Sequence, residues 1–216
     1  DAFLERHGLA KGGMTLVDDG FGGSVPGTVQ DGWDIVKKSI GRMSGLILDM
    51  LSFSSKKKPL YQKVRLNRLV RDTAALYAQP IEEKKCSLVF DLDEGIGEVE
   101  VDYQGIERVL LNLVGNAQEA LSQGGTVRVR TSSPREGRVL ISVEDDGCGI
   151  PEENLRKIFE PFFTTKGHKG TGLGLSISYS IVHEHGGEIW AENNKWGGAT
   201  FQISLPVKTN TGEGSK

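Results

Sequence analysis

The stretch that decides the fold is RVLLNLVGNAQEA, residues 108–120. Apolar residues recur in it every three or four positions, which predicts one amphipathic helix over residues 106–121. Arg108, Asn112 and Asn116 are spaced by four, so they line one stripe of that helix. Asparagine is unfavourable inside a helix because its side chain competes for backbone hydrogen bonds. Two asparagines on one face indicate a polar site at the edge of a core; a pair of solvated asparagines is the alternative.

A second stretch, VEDDGCGI, residues 143–150, places a carboxylate at the end of a buried strand. A carboxylate there can accept a hydrogen bond from an amino group such as that of adenine. Gly147 and Gly149 follow it, and glycines allow a ring to approach the backbone closely. The alternative interpretation of this stretch is a plain turn.

A third stretch joins FEPFFTTK, residues 159–166, to GHKGTGLGL, residues 167–175. Its end enters a predicted helix, and backbone N–H groups at a helix start preceded by glycines form an anion site that suits phosphates. The aromatic cluster before it indicates the hinge of a mobile lid. The spacing matches neither the Walker P-loop nor the dinucleotide-binding motif after a strand.

The remaining pattern predicts alternating strands and helices. Strands are predicted at residues 87–92, 98–101, 126–131, 138–144, 187–192 and 199–205, and further helices at residues 66–84 (with a kink or restart at Pro80), 152–158 and 173–185. We expect an α+β body of two layers, with a mixed sheet and helices on one face. A long amphipathic helix is predicted over residues 29–54, followed by a polar stop that marks a domain boundary at residue 58.

The composition excludes several classes of protein. The chain has 216 residues and a formal net charge of -3, so we expect no nucleic-acid partner. No run of about 18 apolar residues occurs, so we expect no direct membrane contact. Cys86 and Cys148 are the two cysteines, which is typical of a reducing compartment. We therefore expect a cytoplasmic chain, either as part of a soluble sensor or as the cytoplasmic portion of a membrane-bound one.

The motifs, taken in order, resemble those of one family. Asn112 and Asn116, Asp145-x-Gly147-x-Gly149, residues 159–166, Gly170-x-Gly172-x-Gly174 and residues 197–201 resemble the N, first glycine, F, second glycine and last glycine boxes of sensor histidine kinases, within the GHKL ATP-binding superfamily. The resemblance covers about residues 64–206. It implies a Bergerat-type two-layer α/β sandwich preceded by a helical hairpin.

The resemblance also implies a role for each matching residue. Asp145 would bind the adenine amino group with support from Thr200, and Gly147 and Gly149 would admit the ring. Asn116 would coordinate Mg²⁺, and Asn112 would lie beside the phosphates of ATP. The phosphates would be held by lid and helix-start residues, namely Lys166, Gly170, Thr171, Gly172, Leu173 and Gly174; for Lys166 a solvated lysine is the alternative.

The acceptor of the phosphoryl group is less well marked. Only His7 precedes the long helix, so the resemblance implies His7 as the phosphoacceptor, although Gly8 stands where the family has an acid. A surface histidine is the alternative. The implied organisation is a dimerisation and phosphoacceptor region at residues 1–58, a kinase domain at residues 59–206 and a polar tail at residues 207–216.

We therefore expect an ATP-dependent protein histidine kinase that is a homodimer and passes its phosphoryl group to the receiver domain of a response regulator. Hydrolytic members of the superfamily resemble this chain but have a glutamate where Asn112 stands, which favours transfer over hydrolysis. The alternatives are an ATP-binding signalling module that has lost catalysis, and a GHKL serine kinase or slow ATPase.

Overall fold

A computed structural model describes Trp33, Val36, Lys37 and Ile40, and then residues 59–135, 137–167 and 170–207. The chain divides into two compact units, Asp1–Lys56 and Lys57–Lys216. In the first unit the four described residues are helical. The rest of the helix predicted over residues 29–54 lies outside the described residues, as do His7, His168 and the tail from residue 208.

The second unit contains a two-stranded and a five-stranded sheet with four helices in its described part. The strands are β1 (Tyr61–Arg65), β2 (Ser87–Leu92), β3 (Glu98–Asp102), β4 (Thr126–Arg135), β5 (Arg138–Asp145), β6 (Glu188–Asn193) and β7 (Ala199–Pro206), and the helices are α1 (Leu66–Ala75), α2 (Ala78–Glu83), α3 (Tyr103–Ala120) and α4 (Gly174–Glu184). Strands β1 and β3 pair antiparallel. The other five have the order β2-β4-β5-β7-β6, with β2 and β4 parallel and the remaining pairs antiparallel.

The five-stranded sheet has one apolar face, and the helices cover it. Alternate residues of β5 and β7 pair in register and are buried: Val139 with Leu205, Ile141 with Ile203, Val143 with Phe201. Helix α3 buries one stripe of its surface in the same core: Ile106, Val109, Leu110, Leu113, Val114 and Ala117. Each large side chain buried in this way contributes roughly 1.5–3 kcal/mol. The predicted α+β sandwich with a mixed sheet is confirmed.

The structure differs from the predicted elements in three places. The predicted helix over residues 66–84 is two helices, and Pro80 lies in the first turn of α2, where a missing N–H removes no hydrogen bond. The predicted helix over residues 152–158 is wrong: it is a single 3₁₀ turn, Glu152–Asn154, because Ile158 is the one buried residue of that stretch. Strand β1 was not predicted, because only its Val64 is buried.

No helix in the described part of the chain combines the length and the apolar character needed to span a bilayer.

Candidate functional site

Asp145, the last residue of β5, supplies a buried carboxylate that is 3% exposed. Its Oδ1 accepts hydrogen bonds from the backbone N–H groups of Gly147 at 2.9 Å and Ala199 at 3.2 Å. Burial is the main cause that raises the pKa of this carboxyl; Asp146 raises it further, and the two backbone hydrogen bonds oppose the rise. A carboxylate with one oxygen fixed by two amides can present its other oxygen to a donor on a ligand.

The backbone around Asp145 is packed too closely for side chains at two glycines. A Cβ on Gly198 would lie 2.1 Å from the Asp145 carbonyl oxygen, and a Cβ on Gly147 would lie 2.5 Å from the carbonyl oxygen of Ala120 at the end of α3. The loop after β5 is therefore wedged between the end of α3 and the β6–β7 turn. Gly147 and Gly198 are therefore needed for the close contacts between these backbone segments.

Asn193, the last residue of β6, and Asn194 after it hold this loop, and sequence reasoning missed both. Asn193 accepts a hydrogen bond from the N–H of Ile150 and donates one to its carbonyl oxygen, each at 2.7 Å. Asn194 donates to the carbonyl oxygens of Asp145 at 2.8 Å and Ala199 at 3.0 Å. The available signal was an Asn-Asn pair at the end of a predicted strand, before the last glycine box.

Thr200 lies near Asp145 but contacts it through another residue. Its Oγ1 accepts a hydrogen bond from Asn194 at 3.4 Å, and in the strand register Thr200 is paired with Glu144. The residue that bonds the Asp145 carboxylate directly is Ala199, through its backbone N–H. The hydrogen bonds that connect Thr200 to Asp145 in the structure therefore run through Asn194.

The two asparagines of α3 are half-buried and hydrogen-bonded, unlike the solvated alternative. Asn112 donates to Ser178 Oγ at 2.9 Å, and Ser178 donates to the carbonyl oxygen of Gly174 at 3.0 Å. A Cβ on Gly174 would lie 2.4 Å from Asn112 Oδ1. Asn112 thus fixes the first turn of α4 against α3.

Asn116 presents its amide oxygen to a cation. Asn116 Nδ2 donates a hydrogen bond to Asn112 Oδ1 at 3.4 Å, so the Oδ1 of Asn116 itself points away from Asn112. That Oδ1 accepts a hydrogen bond from Lys166 Nζ at 2.8 Å, and the same ammonium forms an ion pair with Glu119. Glu119 was not singled out from the sequence, because nothing in its spacing identifies a partner 47 residues away.

The aromatic segment and the second glycine motif are joined through backbone contacts. The N–H of Phe162 donates to the carbonyl oxygen of Gly172 at 2.9 Å. Gly172 has a φ of +66°, and a Cβ there would lie 2.3 Å from the Phe162 carbonyl carbon, so no other residue fits. Leu173, 1% exposed, anchors the chain directly before α4. The predicted phosphate-binding residues from Gly170 to Gly174 thus lie at the start of α4.

The two histidines beside Gly186 do not form a metal pair. His185 accepts a hydrogen bond from the N–H of Asp102 at Nε2, 3.0 Å away, and its Nδ1 lies 2.7 Å from the Ile181 carbonyl oxygen, whereas His183 stacks on Tyr179. Among the described residues there is no cluster of three or more His, Cys, Asp or Glu that could hold a metal ion.

The chain is similar to histidine kinases in sequence and structure. Residues 101–209 match the family model described as histidine kinase-, DNA gyrase B- and HSP90-like ATPase. The signal transduction histidine-protein kinase AtoS of Escherichia coli (strain K12) is 36% identical over 178 residues, which are 82% of this chain and 29% of AtoS. The chain therefore spans under a third of that relative's length.

Two solved structures of the histidine kinase ThkA are similar to this chain. The nucleotide-free catalytic domain is 40% identical with a TM-score of 0.64, and the match covers 68% of this chain and 96% of that domain. The complex of ThkA with the response regulator protein TrrA gives 30% identity and a TM-score of 0.73, over 96% of this chain and 60% of the ThkA chain.

Proposed function

The chain belongs to the family of histidine kinase-, DNA gyrase B- and HSP90-like ATPases and carries the catalytic ATP-binding domain of a histidine kinase, and we propose that it transfers the γ-phosphoryl group of ATP to a histidine in a cytoplasmic two-component system. The phosphoryl group then passes to the receiver domain of a response regulator. The observation that carries this proposal is Asp145: a buried carboxylate whose Oδ1 is fixed by two backbone amides.

Asp145 Oδ2 would accept a hydrogen bond from the amino group of adenine. Gly147 and Gly149 would line the ring, and Thr200 would support Asp145 through Asn194 or a water molecule. A guanine base presents a carbonyl oxygen where adenine presents its amino group, so the carboxylate would repel it. This arrangement supports selectivity for ATP over GTP.

The start of α4 would hold the phosphates. Backbone N–H groups of the first turn of a helix attract anions; Leu173 and Gly174 begin that turn here, and Gly170, Thr171 and Gly172 lead directly into it. Asn112 fixes this turn against α3 through Ser178 and so orients it. Lys166, at the end of the aromatic segment, would contact a phosphate from the lid.

The amide oxygen of Asn116 is suited to bind Mg²⁺. An amide oxygen is a hard ligand of the kind Mg²⁺ takes, and the Lys166 ammonium already places a cation at this oxygen. Mg²⁺ usually keeps several waters and bridges to substrate phosphates, so one or two protein oxygens suffice. Bound there, Mg²⁺ would neutralise charge on the phosphates of ATP.

Transfer is favoured over hydrolysis because Asn112 cannot take a proton from water at neutral pH. A neutral imidazole needs no strong base to act as nucleophile. His7, which lies outside the described residues, remains the proposed acceptor. Positioning by the lid and by the start of α4 would supply most of the rate enhancement.

The proposed partners are a second copy of the chain and a response regulator. ThkA, 30% identical to this chain, was solved in complex with the response regulator protein TrrA. Val36, one residue of the apolar stripe predicted for residues 29–54, is 42% exposed in the single chain, as expected for a stripe that packs against a second copy.

Incubation with γ-labelled ATP and Mg²⁺ tests the function. We expect a label on the protein that is lost in acid and stable in alkali, and that is absent in His7→Ala. An acid-stable label would identify a serine kinase, and nucleotide binding with no label would identify a signalling module. Sustained phosphate release at tens of turnovers per second would contradict the histidine kinase, the serine kinase and the signalling module alike, and would identify an efficient ATPase.

A further inference from the structure

Asn116 and Glu119 lie one turn apart on α3 and share a single cation, the ammonium of Lys166. We propose that their two oxygens form a cation seat, which Lys166 occupies in this structure and the Mg²⁺ of Mg·ATP occupies in the complex. Glu119 is then a second oxygen ligand beside Asn116, and arrival of the metal releases Lys166. The proposal rests on the proposed function, since the metal arrives with ATP.

The chemistry of the seat suits Mg²⁺ better than an ammonium. Residues three apart on a helix are neighbours on its surface, so the amide oxygen and the carboxylate converge on one point. Carboxylate and carbonyl oxygens together are the protein ligands that Mg²⁺ takes. Lys166 and a metal ion cannot share the seat, because both need Asn116 Oδ1 and their charges repel each other.

The exposure of the pair makes the exchange easy. The side chains of Lys166 and Glu119 are 42% and 59% exposed, and ion pairs in contact with water are weak. The ammonium can therefore leave without stranding a buried charge. A metal ion bridged to the phosphates of ATP, by contrast, is held by the nucleotide as well as by the protein.

Exchange at the seat links the metal to the lid. Lys166 follows the aromatic segment, and its N–H donates to Thr164 Oγ1 at 3.1 Å, so its side chain is attached to an ordered turn. When the metal takes Asn116 Oδ1, the ammonium moves off α3 and becomes a donor for the phosphates. Glu119 thus acts both as ligand and as the residue that holds the lid lysine on α3 before ATP binds.

Metal binding by the full chain tests the seat, with Mn²⁺ as the probe because its electron paramagnetic resonance signal reports the unbound ion. In the complex with a non-hydrolysable ATP analogue, Glu119→Gln should weaken Mn²⁺ binding by about tenfold, the size expected when an oxygen ligand loses its charge. Nucleotide affinity of Glu119→Gln in EDTA should not fall, because without a metal ion Glu119 contributes no ligand to the complex. Glu107→Gln, three turns earlier on α3, is the matched control and should behave as the parent chain. Equal Mn²⁺ affinity in Glu119→Gln and the parent would overturn the proposal.

The nucleotide-free chain gives an independent test of the competition. Lys166→Met should tighten Mn²⁺ binding several-fold because the competing ammonium is gone, whereas Lys157→Met should not. The gain should vanish in the double variant Lys166→Met/Glu119→Gln. No gain in Lys166→Met would contradict exchange at a shared seat. If the parent chain fails to bind the ATP analogue, the proposed function itself is wrong. If the parent chain binds the analogue but the variants bind Mn²⁺ with the same affinity as the parent, the cation seat alone is wrong.

Discussion

Asn193 clamps the backbone of Ile150 on both sides, accepting its N–H and donating to its carbonyl oxygen at 2.7 Å each. The two residues are 43 positions apart, so one amide side chain ties the end of β6 to the loop that follows Asp145. Asn194 continues the connection by donating to the carbonyl oxygen of Asp145 itself. The position of the Asp145 carboxylate is therefore set by the β6–β7 turn as well as by β5.

Replacing Asn193 by alanine tests this clamp. Asn193→Ala removes two hydrogen bonds at a partly solvated position, so we expect unfolding to become easier by about 1 kcal/mol. The affinity for ATP should fall about tenfold, because the loop after Asp145 is no longer held against the end of β6. Calorimetric titration and chemical denaturation measure the two effects. Gln123→Ala, at an exposed loop position, is the control; an unchanged ATP affinity in Asn193→Ala would show that the clamp does not set the site.

Asp145→Asn should separate nucleotide binding from folding. The asparagine oxygen can still accept the N–H groups of Gly147 and Ala199, but its Nδ2 then faces the amino group of adenine, donor against donor. We expect ATP affinity to fall by about 10–100-fold, the cost of a charged hydrogen bond replaced by an unpaired one. Fluorescence titration measures this, and parental affinity in the variant would mean that adenine binds elsewhere.

The raised pKa of Asp145 predicts how the stability of the nucleotide-free chain depends on pH. The folded chain binds this proton more tightly than the unfolded chain, whose value is near the ordinary 3.8. The resulting stability is fully present below 3.8 and is lost as pH rises through the raised folded pKa. As pH rises from 3.8 through the raised folded pKa, the unfolding free energy of Asp145→Asn should therefore fall less than that of the parent chain. Urea denaturation at a series of pH values measures this difference. Parallel pH curves would contradict the buried, desolvated carboxylate.

Gly198→Ala tests the close contact between backbone segments. The added Cβ would lie 2.1 Å from the Asp145 carbonyl oxygen, and backbone atoms cannot yield as the end of a side chain can. We expect a loss of about 2–4 kcal/mol in unfolding free energy. Gly97→Ala is the matched control, because a Cβ there meets nothing within 4 Å. Similar melting temperatures for the two variants would contradict the packing described around Asp145.

Elements with a strong apolar period were predictable from the sequence. The buried stripe of α3 and the alternation in β7 are both long enough to be recognised, and both are where they were expected. Strand β1 is different: Val64 is its one buried residue, and its stability depends on pairing with β3, where Val64 faces Val99. Because the pairing partner is 35 positions away, the five residues of β1 carry no local pattern that predicts a strand.

The site was predictable in part for a related reason. Asn112, Asn116 and Asp145 were expected from their types and local spacing. The structure places Asn112 against Gly174 of the second glycine motif, Asn116 one turn later on α3, and Asp145 at the end of β5. Asn194 and Glu119 act through residues 47 or more positions away, Asp145 and Lys166 respectively. Contacts of that range become visible only once the chain is folded.

The most direct test of the account is competition between ATP and GTP for the same site. If Asp145 accepts a hydrogen bond from the adenine amino group, the carbonyl oxygen of guanine meets a carboxylate at that point, and we predict a preference for ATP of at least about 100-fold. The preference should fall strongly in Asp145→Asn, whose amide can donate to the guanine carbonyl. Equal affinity of the parent chain for ATP and GTP would contradict the central claim.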